Sequence, residues 1–369
     1  MSRHIKELLI ENYRGITNLK LDSLNHINIF TGNNNSGKTS VLEVIYTLRN
    51  PEDISTWVEC SNLRDRRNSR RFNFLEMNNL FPVNAENKNI SYIYCDCDGI
   101  SKRVELRATL ESKQISEGEM FLINGLRRIK EESEEVFQDV MSIKLITTMD
   151  SEVVGQDELY DFQIFYRNKS IRKSRRWDFK RVTYISPIDH YNNENFLDNI
   201  LNTPELYEEL IAILKEFDDK IISVNALREE TNVFNAYSYG YGILTKDNKK
   251  TLSLNSYGDG MKKAVLLLSA IVNSKNGILL IDEFETAIHT SAMDRVFAWL
   301  LKSAMKFNVQ LFLSSHSKEA IEKVLKIDKE LQDCINLYTL YNYDSKNYVR
   351  KMSCGEAINA LDNLGLELR

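Results

Sequence analysis

Residues 32–39 read Gly32-Asn33-Asn34-Asn35-Ser36-Gly37-Lys38-Thr39, the G-x-x-x-x-G-K-[ST] spacing of a loop that cradles phosphate. Glycine lets backbone come close to an anion, and successive N–H groups can point into one concavity. Lys38 is spaced to reach β- and γ-phosphates and Thr39 to ligate Mg2+. Ser40 follows in the first turn of a helix whose N-terminus adds partial positive charge. Far downstream, Ile278-Leu279-Leu280-Ile281-Asp282-Glu283 is an apolar run that ends in two carboxylates. Asp282 would hold Mg2+ through water, and Glu283 would orient or deprotonate an attacking water. His316 follows a second apolar run and Ser314-Ser315, where it could sense a γ-phosphate. Ser256, Gly258 and Gly260 precede a helical pattern and make a further anion site. Taken singly, these are a glycine-rich turn, an acidic helix cap, a surface histidine and a capped turn. In this order they describe phosphoryl transfer.

Such side chains need a parallel sheet to converge, and the patterning supplies one. The run 27–30 reads as a strand, and 40–48 has helical spacing, so the loop lies between strand and helix. The first 48 residues read strand, turn, strand, phosphate loop, helix. From residue 252 onward helices at 259–272, 291–306 and 317–325 alternate with strands at 277–281 and 309–313, which implies a parallel sheet. Ligands of such sheets sit beyond the carboxyl ends of the strands, where Asp282 and Glu283 fall. Residues 89–177 alternate and are rich in β-branched and aromatic side chains, which predicts antiparallel strands, with a short helix at 130–139 among them. Residues 204–230 read as helix, with Thr203 at the N-cap, Pro204 in the first turn and a stripe of Leu206, Leu210, Ile213, Leu214, Phe217 and Ile221. The tail reads as a hairpin and a short helix.

Composition sets bounds. The chain has 369 residues, 43% hydrophobic and 27% charged, and a net charge of −5. That fits a soluble, globular, cytoplasmic protein and argues against a uniformly basic nucleic-acid coat. The longest apolar run, 264–272, is too short to span a bilayer, so no membrane partner is expected. Cys60, Cys95, Cys97, Cys334 and Cys354 are odd in number and irregularly spaced, which reads as reduced thiols and not a disulfide or metal framework.

These elements in this order resemble the ABC-type ATPase head of SMC, RecF and OLD-family proteins. The resemblance covers residues 1–50 and about 252–320 and implies an α/β P-loop NTPase head: a mainly parallel sheet, an inserted antiparallel β region and a short helical lid. Positions 1–50 and 236–369 would be the head. Positions 51–235 would be an insertion, β-rich at 89–177 and helical at 190–230. In that family Gly32 to Thr39 would be Walker A, with Asn33, Asn34, Asn35 and Ser36 in the loop. Asp282 and Glu283 would end Walker B, Ser256 to Gly260 would be the signature loop, and His316 the switch histidine. Glu11-Asn12-Tyr13-Arg14-Gly15-Ile16 also looks like the family's opening, with Arg14 near nucleotide or DNA. The signature departs from the usual Leu-Ser-Gly-Gly, and no Q-loop glutamine is assigned. The resemblance implies that ATP is the substrate, with Mg2+. It also implies a homodimer or higher homo-oligomer joined by a head-to-head ATP sandwich.

The absence of long arms and of Asp-x-Asp pairs after His316 points to a stand-alone OLD-like ATPase, similar to the ATPase subunit of PARIS-like anti-phage systems. Such a chain would be a sensor and scaffold that controls a separate Toprim-type effector nuclease or toxin and responds to a phage protein. The alternative is a RecF-like DNA-repair ATPase. For it, Arg64, Arg66, Arg67, Arg70 and Arg71, or Arg172, Lys173, Arg175, Arg176, Lys180 and Arg181, would contact DNA phosphates. A transporter ATPase fits less well, given the loose signature and the β-rich insertion.

Overall fold

A computed structural model describes residues 4–64, 72–82, 88–125, 136–164, 166, 181–191, 197–230, 237–247, 251–344 and 346–364. The chain opens with three strands, β1 (Ile5–Tyr13), β2 (Ile16–Leu21) and β3 (Ile27–Thr31), one more than the expected pair. Helices α1 (Lys38–Thr47), α2 (Ile54–Ser61) and α3 (Phe74–Asn78) follow. Next come β4 (Lys88–Asp96), β5 (Ser101–Ser116), α4 (Glu117–Ile123), β6 (Phe137–Met149) and β7 (Glu152–Tyr160). Then follow β8 (Val182–Ile185), α5 (Asp198–Leu201), α6 (Pro204–Leu214), β9 (Ile221–Glu230), β10 (Tyr237–Thr245) and β11 (Leu252–Ser253). The C-terminal part holds α7 (Asp259–Asn273), β12 (Ile278–Ile281), α8 (Thr290–Lys306), β13 (Gln310–Ser314) and α9 (Lys318–Lys326). It ends with β14 (Ile335–Tyr343), β15 (Lys346–Ser353) and α10 (Cys354–Leu364).

The central sheet has the order β15-β14-β3-β13-β12-β8 and is parallel except for the β14–β15 hairpin. Its strands are apolar almost throughout because both faces are covered. Along β12, Leu279 and Ile281 pack with α6, α7 and α8, whereas Ile278 and Leu280 pack with α1 and the second sheet. That second sheet is antiparallel, β2-β1-β4-β5-β6-β7, and carries the alternation expected for 89–177. A buried amide joins the two: Gln310 Nε2 donates to Ile5 O at 2.8 Å, and Gln310 Oε1 accepts from Ile5 N at 2.9 Å. A small antiparallel sheet, β11-β10-β9, completes the fold.

Strand pairing crosses the expected domain boundaries. β8, from within 51–235, pairs with β12 in the central sheet, and β1 and β2, from within 1–50, join β4–β7. Two expectations need correction. The helix read over 204–230 ends at Leu214, and Ile221–Glu230 is β9. Its apolar spacing runs on through Phe217 and Ile221, but Asp218 and Asp219 make a turn. The β-branched residues beyond it pair with β10. Thr203 does sit at the N-cap, but its side chain donates back to Asn199 O and accepts no helix N–H. The helix read at 130–139 fails at its end, since Phe137 opens β6; residues 130–135 lie outside the described part. Of the basic clusters, only Arg64 and Arg181 are described. Among the described residues no helix is long and apolar enough to cross a membrane.

Candidate functional site

The phosphate loop joins β3 to α1 through a backbone that only certain residues tolerate. Gly32 has φ of 134° and Gly37 of 101°, both in the left-handed half of the map. A Cβ on Gly32 would lie 2.0 Å from the carbonyl oxygen of Leu340 on β14, so glycine is required there by packing as well. Gly37 is the N-cap of α1 and offers no side-chain cap, which leaves the first-turn N–H groups for an anion. Lys38 is buried, and its Nζ donates to the loop carbonyls of Gly32 and Asn33, each at 2.9 Å. Burial pulls this ammonium down to about 8, against the attraction of Asp282, Glu283 and Glu285.

The C-terminal ends of β12 and β13 bring the acidic residues to the same place. Thr39 Oγ1 donates to Asp282 Oδ2 at 2.9 Å, and Tyr184 at the end of β8 donates to the same oxygen at 3.0 Å. Ser314 Oγ donates to Asp282 Oδ1 and accepts the N–H of Glu283 at 2.9 Å. One serine therefore orients both carboxylate residues. Glu283 adopts φ of 45°, a left-handed conformation uncommon outside glycine, which turns the chain sharply as it leaves the strand. Its Oε2 accepts from Thr286. Glu285 Oε1 accepts the N–H groups of His316 and Ser317, tying the segment after β12 to that after β13.

A pocket of about 520 Å³ collects these parts. It is lined by Asn34 to Ser40, Glu283 and His316, with Arg14, Gly15, Ile16, Arg64, Asn342 and Asn347 at its rim. Ser256, Gly258 and Gly260 do not line it. Ser256 and Gly258 are exposed at the N-terminus of α7, which has no side-chain cap. The loop, Glu283 and His316 thus share one cavity, Asp282 lies buried behind it in contact with Thr39, and the fourth element stands outside it.

Sequence reasoning missed Glu43 on α1 and the ion cluster it forms with Arg14 and Arg64. Glu43 is fully buried and accepts from Arg14 Nε at 2.9 Å and from Arg64 Nε at 2.7 Å. Arg64 Nη2 also reaches Ser40 Oγ at 3.1 Å, and the Tyr13 hydroxyl donates to Glu43 at 3.1 Å. Arg14 sits in the β1–β2 turn with φ of 49° and also donates to Asn79 O. Arg64, expected in a basic patch facing DNA or a partner, instead lines the pocket. The available signal was Glu43 itself, the one charge in the otherwise uncharged run 40–48. Tyr184 had no such signal, and Ser314 stood out only as the polar end of an apolar run, because the roles of both arise from neighbouring strands.

Residues 4–321 match the family model described as AAA ATPase domain. An ATP/GTP phosphatase of Helicobacter pylori is 23% identical over 359 residues, covering 88% of this chain and 89% of the relative. A DNA replication and repair protein RecF of Clostridium perfringens is 19% identical over 333 residues, covering 76% and 85%. Among solved structures, an Smc head bound to the C-terminal winged-helix domain of ScpA aligns with a TM-score of 0.48 and 13% identity, over 96% of this chain and 100% of that one.

Proposed function

The chain belongs to the AAA ATPase domain family, and from that premise we propose that it binds ATP in the 520 Å³ pocket and hydrolyses it to ADP and phosphate. One observation carries the reading. Thr39 on the phosphate-loop helix and Asp282 at the end of β12 are in hydrogen-bond contact, with Glu283 and His316 facing the same cavity. Lys38 and the first-turn N–H groups of α1 would hold the phosphates. Glu283 would accept the proton of the attacking water, and His316 would contact the γ-phosphate. The donor set of a hydroxyl and a carboxylate suits a hard cation, so Thr39 and Asp282 would hold Mg2+, directly or through water. Held there, the cation would supply charge stabilisation for the transferred phosphoryl group. Arg14 would serve the opposite rim, with its guanidinium held by Glu43.

The position of Ser256, Gly258 and Gly260 outside the pocket supports a two-chain site. Each ATP would lie between the phosphate loop of one copy and the α7 N-terminus of another, so turnover would depend on association. Groups supplied in trans can change phosphoryl-transfer rates by about 10³–10⁵. The test is specific activity across a wide dilution series, with light scattering of Glu283→Gln in ATP. Activity that rises with protein concentration, and a variant that dimerises in ATP but not in ADP, support the reading. Flat specific activity from a protein that stays monomeric rejects it.

At a finer level, the reading is an OLD-like ATPase that acts as sensor and scaffold in anti-phage defence and controls a separate effector nuclease or toxin. The loose signature at 255–260 supports it, as does the short α6, 11 residues where SMC-type heads carry long arms. Similarity to RecF over 76% of the chain favours a second reading, an ATP-dependent DNA-repair ATPase. Capture of partners by tagged Glu283→Gln in ATP separates them: an effector in fixed ratio favours the first, DNA and repair factors the second.

A further inference from the structure

The β14–β15 hairpin has two unlike faces. Leu340, Asn342, Asn347 and Val349 turn toward the phosphate loop: Leu340 is fully buried, and Asn342 donates to Asn35 O at 3.0 Å and accepts from Asn347 at 2.7 Å. Strand alternation puts Thr339, Tyr341 and Tyr343 on the other face, opposite Arg350, Tyr348 and Lys346. The root of this second face, Leu337 and Met352, is buried in the core with Ala357 and Leu361 of α10. Its outer part is open. Tyr341, Tyr343 and Tyr348 are 43%, 72% and 39% exposed, and the rings of Tyr341 and Tyr348 stack at 5.5 Å with 15° between their planes.

The charge on this face is also unlike the rest of the chain. Lys346 and Arg350 stand on this face and no acid of the two strands does, in a protein of net charge −5. Among the described residues, neither of these two cations enters an ion pair. Aromatic rings interleaved with cations are what the arginine-rich stretch at 64–71 lacks.

We propose that this hairpin face binds single-stranded nucleic acid, with bases stacked on the tyrosine rings and phosphates paired with Lys346 and Arg350. Stacking needs bases whose faces are open, which a duplex does not offer, and it tolerates any base because every base has a π-face. The cations at both ends of the ring stack match a backbone that runs along the hairpin. The proposal stands on the hairpin alone. It does not depend on ATP hydrolysis, whose site faces the other side through Asn342 and Asn347.

The test is fluorescence anisotropy with the full chain and labelled oligo-dT of about 15 nucleotides, the length one single-strand-binding module can cover, beside a duplex of equal length. Single strand should bind more tightly than duplex. The pair Tyr341→Ala and Tyr348→Ala should weaken binding about tenfold or more, while Tyr341→Phe with Tyr348→Phe keeps it. Lys346→Gln with Arg350→Gln should flatten the log–log salt slope by about 1.4, two phosphate contacts at about 0.7 each. ATP turnover of each variant reports that the chain is folded. Should a variant prove inactive and unfolded, the Phe pair and the wild-type preference for single strand still decide. The proposal is overturned if wild type ignores oligo-dT at low salt, if duplex binds as well, or if the alanine pair binds like wild type. It is equally overturned if the alanine pair changes only the oligomeric state, which would make the face a contact between copies.

Discussion

Glu43→Gln tests the reasoning about the ion cluster most directly. The carboxylate is 0% exposed and receives Arg14 Nε at 2.9 Å, Arg64 Nε at 2.7 Å, Arg64 Nη2 at 3.1 Å and the Tyr13 hydroxyl at 3.1 Å. Glutamine keeps the shape, removes the charge and turns an N–H₂ toward the guanidinium groups. Removing one partner of a buried ion pair costs about 3–5 kcal/mol. The two arginines do not share that cost equally. The side chain of Arg64 is 45% exposed and can return to water, so its share lies in the range of about 0–1 kcal/mol typical of surface pairs. Arg14 is 12% exposed and bears most of the loss. The expected destabilisation is therefore about 3 kcal/mol, the lower end of the range for buried pairs. Urea unfolding should show a lower midpoint with an unchanged m-value. Combining Glu43→Gln with Arg14→Met should cost about 1–3 kcal/mol less than the sum of the singles, because the second change removes the orphaned charge. Both arginines line the pocket, so the KM for ATP should rise while kcat holds, as for loss of uniform binding. A Glu43→Gln protein within about 0.5 kcal/mol of wild type, or strict additivity in the cycle, would refute this account.

Further outcomes follow from the same geometry. Lys38 is held at about 8 by burial in the free pocket, and in the proposed reaction its charged form would bind phosphate. ATP affinity should be steady below that pH and fall by at most about tenfold per unit above it. Lys38→Arg should give a flat profile, and a flat wild-type profile through the alkaline range would contradict the assignment. Lys263, fully buried on α7 and bonded to Ser186 O at 3.4 Å, is likewise lowered from 10.5 to about 8 by burial. The unfolded chain then binds more protons between those pH values, so stability should climb with pH across that window. Lys263→Met should remove the climb in denaturation curves measured at several pH values. Ser314→Ala removes a donor to Asp282 and the acceptor of the Glu283 N–H, so turnover should fall about 10- to 100-fold with little change in ATP affinity. Equal loss of both would mean that Ser314 supports the fold and not the carboxylates. Gly32→Ala forces a Cβ against Leu340 O, and both thermal stability and nucleotide binding should drop; a variant that binds normally would show that the loop can shift.

Much of the site is legible in the order of residues. The strand–loop–helix context of 27–48 appears as β3, the phosphate loop and α1. The apolar run ending in Asp282 and Glu283 appears as β12 with both carboxylates at its carboxyl end. Each is encoded within one continuous stretch of chain, through glycine's access to positive φ, helical spacing and the unbroken apolar runs of strands covered on both faces. Legibility ends where a local pattern has two solutions. The spacing of Leu206 to Ile221 suits a helix throughout, and only pairing with β10 turns its last part into strand.

What the chain's order alone determined was therefore the chemistry of each segment: a phosphate loop, a pair of carboxylates, a histidine after a buried strand. Tertiary structure decided which residues serve them. Arg14 and Arg64 lie 29 and 21 positions from Glu43, Ser314 lies 32 from Asp282, and Tyr184 lies 98 from it. No periodicity links such positions; Tyr184, Ser314 and Asp282 meet because β8, β12 and β13 pair side by side, and Arg14 and Arg64 reach Glu43 on α1 from the β1–β2 turn and from the segment after α2. The same folding leaves Ser256 and Gly258 exposed on α7, outside the pocket of their own chain. Local sequence sets dihedral angles and burial along one element, but contact between elements depends on how the whole sheet closes.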